Sequence, residues 1–154
     1  MSAIKQSRAR AVADVAAGEI VASVEIAVAP ERVFQALASK EIVEWWVRPG
    51  VFDTREWSGD VRAGGRWRTS GIARGQPFVL EGEYLEVDPP RKLVHTWQRA
   101  GAPIAPSTVT YFLERIEGGT RLTLRHTGIA GAEACANMAA GWEASFDRLG
   151  EVLP

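Results

Sequence analysis

The stretch from Gly64 to Arg99, GGRWRTSGIARGQPFVLEGEYLEVDPPRKLVHTWQR, decides the fold. Three runs read as strands: Arg66 to Ala73, Phe78 to Val87 and Lys92 to Arg99. The breaks between them are Arg74-Gly75 and Asp88-Pro89-Pro90, and Gly64-Gly65 precedes the first. Breaks this short make hairpins, because parallel neighbours need a crossover of a dozen or more residues. The stretch is therefore an antiparallel meander.

The same signals continue on both sides. Val51 to Trp57 lies upstream; Thr108 to Ile116 and Arg121 to Thr127 lie downstream, with breaks at Gly101 to Pro106 and Gly118-Gly119. Glu19 to Val28 alternates, with Ile20, Val24, Ile26 and Val28 apolar against Ser23 and Glu25, and reads as a strand with one buried face. Ala29-Pro30-Glu31 starts a helix: Pro suits the first helical position, and the Glu31 carboxylate suits the positive end of the dipole. Ser39 is placed to cap a second short helix through Ile42, Val43 and Trp46, which Pro49-Gly50 ends. At the C-terminus Cys135, Met138, Trp142, Phe146, Leu149 and Leu153 recur every three or four residues, one apolar stripe on a long helix. Gly141 interrupts it, and a glycine there suits close packing against a neighbouring element. The order strand, two short helices, sheet, long helix is α+β. Residues 1–18 read as an N-terminal extension in which Ala9 to Val15 fits either a short helix or a strand, and 19–154 as a single domain.

Composition narrows the function classes. A length of 154 residues with 46% hydrophobic and 24% charged residues describes one globular domain. A net charge of −1 leaves no footprint for nucleic acid or an anionic membrane. Met1 to Gly18 lacks the apolar core of a signal peptide, and no uninterrupted apolar run reaches membrane-spanning length, so a soluble cytoplasmic protein is expected. The single cysteine, Cys135, permits neither an internal disulfide nor a cysteine zinc site. Six tryptophans must be housed in a core, a pocket or an interface.

Several motifs together resemble the activator of heat-shock-protein-90 ATPase homologue family of the START-like (SRPBCC) superfamily. They are Gly64-Gly65-Arg66-Trp67-Arg68, the run Glu81 to Trp97, Ala29-Pro30-Glu31-Arg32-Val33-Phe34, Gly118 to His126, and Gly141-Trp142 with Asp147-Arg148-Leu149. The resemblance covers roughly residues 20–153. It implies the helix-grip fold: a curved antiparallel sheet wrapped around a long C-terminal helix, with a cavity between them. Where the family often has Trp-Trp-Gly after the second helix, this chain has Trp45-Trp46-Val47, which leaves the shape of the cavity mouth open. The scaffold hosts ligand carriers, cyclases, hydrolases and chaperone partners, so fold alone does not choose among them.

The chemistry-bearing residues each have a plain reading beside a functional one. Alternation puts His126 on the apolar face with Leu122 and Leu124, either as a polar anchor in a cavity or as a core histidine satisfied by a hydroxyl or backbone partner. His95 shares a face with Leu93 and Trp97, and two histidines without a nearby cysteine make no metal site by spacing. Asp53, Glu56, Glu81, Glu83 and Glu86 read as solvated cross-strand partners of arginines rather than buried acids. The candidate ligand-binding set is Trp46, Trp67, Thr69, Trp97, Tyr111, Leu113, His126, Trp142 and Phe146. Trp67, Trp97 and Trp142 should point inward, while Trp45, Trp46 and Trp57 are candidates for a rim or an exposed patch.

The expected function is binding of a hydrophobic small molecule in a cavity of a few hundred Å³. No catalytic residue, cofactor or metal is assigned. The alternatives are a co-chaperone-like or other protein-interaction role, or a cyclase or hydrolase on the same scaffold. Either a monomer or a homodimer fits.

Overall fold

Arg74 and Gly75 both sit at positive φ, 51° and 78°. That is what a two-residue type I′ hairpin loop needs, and the loop's twist matches that of its strands. It joins β5 (Arg66–Ala73) to β6 (Gln76–Asp88), with Ala73 opposite Gln76. This hairpin is the centre of the computed structural model, which describes residues 8–102 and 105–153. The remaining strands are β1 (Arg10–Asp14), β2 (Glu19–Ile26), β3 (Val47–Arg48), β4 (Phe52–Gly59), β7 (Lys92–Arg99), β8 (Ser107–Ile116) and β9 (Gly119–Thr127). The helices are α1 (Pro30–Leu37), α2 (Ile42–Trp45) and α3 (Ala132–Val152).

The strands form one antiparallel sheet in the order β1-β2-β9-β8-β7-β6-β5-β4-β3. From β3 to β9 it is the uninterrupted meander expected from the short breaks. Helix α3 packs on β1 and β2 at one end of this order and on β3 at the other. The sheet therefore curls around the helix. This is the helix-grip architecture, and the expected α+β class holds.

The stripe read on the last helix is the buried one: Cys135, Trp142, Phe146 and Leu149 are fully enclosed, and Leu153 nearly so. They meet the inner faces of β2 (Ile20, Ala22, Val24, Ile26) and β9 (Leu122, Leu124, His126), all at most 2% exposed. Charged residues take the outer face, where Arg121 bridges Glu25 and Glu114, and Arg125 reaches Glu19.

Local readings are refined at several points. Ala9 to Val15 resolves as strand β1. Its outer edge is not left bare: the backbone N–H of Ala9 donates to Asp147 Oδ1 at 2.7 Å and that of Ala11 to Glu143 Oε2 at 3.0 Å. One turn apart on α3, these carboxylates occupy edge donors that would otherwise template strand addition. Ser39 does not cap α2. Glu41 holds that position, and the Ser39 hydroxyl accepts the Glu41 N–H one step earlier. The expected close approach at Gly141 is also relaxed: a Cβ there would rest 3.6 Å from the Phe52 ring, an ordinary contact. Residues 1–7 of the N-terminal extension and 103–104 of the Gly101-to-Pro106 break lie outside the described residues.

Candidate functional site

The inner face of the meander builds an aromatic chamber. Trp67 lies on β5 between Gly59 of β4 and Gly82 of β6 in register, so its large ring has a glycine on either side. Its Nε1–H donates to the Thr96 carbonyl at 3.1 Å. Beside it stand Tyr84 on β6, His95 and Trp97 on β7, and Tyr111 on β8. Trp142 comes from α3, and Trp45 and Trp46 close the α2 side. Leu37, Ile42, Trp57, Thr69 and Leu80 complete the lining. The half-buried members, Ile42, Trp57, Leu80 and Trp97, form its rim.

Ring packing nearly fills this chamber. Trp46 is central, with ring centroids 4.4 Å from Trp142, 5.2 Å from Trp97 and 5.2 Å from Phe52. The space left measures about 30 Å³, room for a water or two but not for a drug-sized molecule. The expected void of a few hundred Å³ is therefore absent, because the indole of Trp46 stands where it would be.

Of the candidate set, Trp46, Trp67, Thr69, Trp97, Tyr111 and Trp142 line the chamber. Leu113, His126 and Phe146 do not, and belong to the core behind it. His126 has a closed set of partners. Its Nδ1 accepts the Trp142 Nε1–H at 3.0 Å, which places its own proton on Nε2, 2.7 Å from Ser107 Oγ. Ser107 in turn donates to the Trp97 carbonyl at 3.2 Å. The ring is thus a satisfied core histidine, and burial, helped by His95, holds its pKa down to about 3. Its role is to fix the tilt of Trp142 and the strand backbone at Trp97.

Trp45 and Trp46 do not form a surface patch: they are 2% and 6% exposed. The Trp45 Nε1–H donates to the Ala36 carbonyl at 2.8 Å, which ties α2 down on the end of α1. Trp57 is half-buried at the rim. The strand carboxylates keep to the surface: Asp53, Glu81 and Glu86 pair with Arg55, Arg68 and Lys92 at 3.2, 3.7 and 3.2 Å.

Tyr84 and His95 are additions to the candidate set. The alternation Glu81-Gly82-Glu83-Tyr84 carried the signal for Tyr84, since its glycine and tyrosine share the face opposite the glutamates. His95 Nδ1 lies 2.9 Å from the Thr96 carbonyl, which only accepts, so this nitrogen carries the proton and Nε2 is a bare acceptor. Burial lowers the His95 pKa to about 4, opposed in part by that hydrogen bond. His95 and His126 both sit opposite Val109, on strands two apart. That spacing of about 10 Å precludes a shared proton.

The polar atoms of the chamber are the unusual part. Trp57 Nε1 is enclosed and has no hydrogen-bond partner among the described residues. Neither do the hydroxyls of Tyr84 and Tyr111 or His95 Nε2, yet these are not among the sealed-in unpaired atoms. All three side chains belong to the lining of the small void. Burial raises the pKa of both tyrosines, and the nearness of Tyr84 raises Tyr111 further, so both hydroxyls stay protonated. Among the described residues no carboxylate, lysine or arginine lines the space. No group of His, Cys, Asp and Glu among the described residues has the makings of a metal centre.

A family model described as Activator of Hsp90 ATPase homolog 1-like protein matches residues 27–154. The chain belongs to that family. The Hsp90 ATPase homologue resemblance read from Gly64 to Trp97 and from the flanking motifs is thereby confirmed, and the helix-grip fold with it. Solved structures of similar shape include protein CV1439 from Chromobacterium violaceum, 25% identical over 88% of this chain and 96% of that one, with a TM-score of 0.79. Protein Ms6760 from Mycobacterium smegmatis is 22% identical over 94% and 95%, with a TM-score of 0.79. The AHSA1 protein from Silicibacter pomeroyi is 25% identical over 88% and 96%, with a TM-score of 0.73. No curated protein matches. Within this family frame, the Trp45-Trp46-Val47 departure falls at the end of α2, where Val47 begins the two-residue edge strand β3.

Proposed function

We propose that this chain is a binding module for an apolar small molecule of about the size of one or two fused rings, held between the sheet and α3. One observation carries the reading. Three polar groups without partners among the described residues, the Tyr84 and Tyr111 hydroxyls and His95 Nε2, belong to side chains that line a largely apolar chamber, and the enclosed Trp57 Nε1 beside them is a fourth. A chamber that served only as core would leave few such groups unpaired, because each costs about 1–3 kcal/mol. Entry requires an aromatic ring to yield its place, and Trp46 is suited to do so. It is the C-cap of α2, a single turn, and its indole N–H has no partner among the described residues to give up. The same reading takes the chain to be cytoplasmic, in keeping with a buried, unpaired Cys135.

Native mass spectrometry of freshly purified protein, followed by titration with an apolar fluorescent dye, tests the proposal. A retained small-molecule mass, or saturable dye binding that shifts tryptophan emission, is expected. Bare protein that binds no apolar probe up to its solubility limit would sink the reading.

A further inference from the structure

The unpartnered groups at the sheet end of the chamber have a definite polarity. His95 Nε2 only accepts, because its other nitrogen already gives its proton to the Thr96 carbonyl. Tyr84 stands directly opposite His95 in the β6–β7 register, and the His95 ring centroid lies 5.9 Å from Tyr84 and 5.8 Å from Tyr111. Both tyrosines keep their protons, so each offers an O–H donor. The three side chains thus bring one obligate acceptor and two donors to neighbouring positions, in a lining without formal charge among the described residues.

We infer that this end of the chamber selects a neutral hydroxyl on an otherwise apolar ring system: a phenol, enol or ring alcohol whose O–H donates to His95 Nε2 and whose oxygen accepts from Tyr84 or Tyr111. The inference rests on the ligand-binding reading above and narrows its substrate class. A ketone or ether satisfies the tyrosines but leaves His95 Nε2 unmet. A carboxylate brings an anion into a chamber that no lysine or arginine among the described residues lines. Of these groups, the hydroxyl meets both needs. Sites built to hydrogen-bond a buried O–H reject the analogue lacking it strongly.

Equilibrium dialysis with three probes of one ring system decides it: 2-naphthol, 2-methoxynaphthalene and 2-naphthoate at pH 7, on the wild-type chain and on His95→Phe. The expected result is that 2-naphthol binds wild type at least about tenfold tighter than either analogue, a difference of about 1.4 kcal/mol. His95→Phe should erase that preference while keeping the affinity for 2-methoxynaphthalene. The Thr96 carbonyl keeps its Trp67 donor in this variant, which favours folding. Should the variant not fold, the wild-type ranking alone decides. Equal binding of 2-naphthol and 2-methoxynaphthalene, tighter binding of 2-naphthoate, or an undiminished preference in His95→Phe overturns the hydroxyl assignment and leaves the binding module standing. Binding of none of the three overturns both.

Discussion

Mild acid should destabilise this protein through its two histidines. His95 and His126 are buried neutral, with pKa values of about 4 and about 3. In the unfolded chain each returns to about 6.5. Between these values the unfolded state binds more protons, so stability rises with pH across the window. It is fully present above about 6.5 and is lost as pH falls toward the folded values. At pH 5 an unfolded histidine carries nearly one proton and the folded rings almost none. The drop of about 1.5 pH units below 6.5 costs about 2 kcal/mol per ring, about 4 kcal/mol for both, at about 1.36 kcal/mol per unit. That is a large share of a typical domain's stability of about 5–15 kcal/mol. Urea denaturation followed by tryptophan emission and circular dichroism at pH 7.5, 6 and 5, at fixed ionic strength, measures it directly. Surface ion pairs such as Arg121 with Glu25 and Glu114 add little here, since exposed pairs contribute only about 0–1 kcal/mol. His95→Phe should remove about half of the pH dependence. A loss of less than about 1 kcal/mol between pH 7.5 and 5 would refute the claim that both rings are buried in the neutral form.

Gly141→Ala should raise stability by up to about 1 kcal/mol, because the added methyl only touches the Phe52 ring at 3.6 Å; a lower urea midpoint would show that the helix is packed more tightly there. Thr54→Val should cost about 1–3 kcal/mol, since the Thr54 hydroxyl donates to the buried Trp46 carbonyl at 2.7 Å, and an unchanged melting curve would mean that this bond does not hold the end of α2. Replacing both Glu143 and Asp147 by Ala should speed hydrogen exchange at the Ala9 and Ala11 amides by about tenfold or more, a loss of about 1.4 kcal/mol of protection, while β8 and β9 amides stay protected. Unaltered exchange at Ala9 and Ala11 would show that these carboxylates do not protect the edge.

The sequence by itself determined the sheet and the gripped helix. Both follow from periods that are local: two residues in strands such as Leu122-Thr123-Leu124-Arg125-His126, and three to four along Cys135 to Leu153. Short turns such as Arg74-Gly75 then left antiparallel neighbours as the outcome, and alternation sent Trp67, Trp97 and Tyr111 inward. What it left undecided was anything requiring distant elements to meet. Trp45 and Trp46 end a one-turn helix too short to show a face, so only the docking of α2 against α3 and β4 sent them inside and filled the expected void. Strand β3, two residues long, has too few positions to alternate. The partners of His126 come from β8 and α3, at separations of 19 and 16 residues, and no spacing rule reaches them. His95 was legible as inward-facing, but its bare Nε2 is a consequence of one hydrogen bond to the neighbouring carbonyl. The fold could be read from its pattern because burial repeats along the chain; the chamber could not, because unpaired atoms are defined only once every other contact has been made.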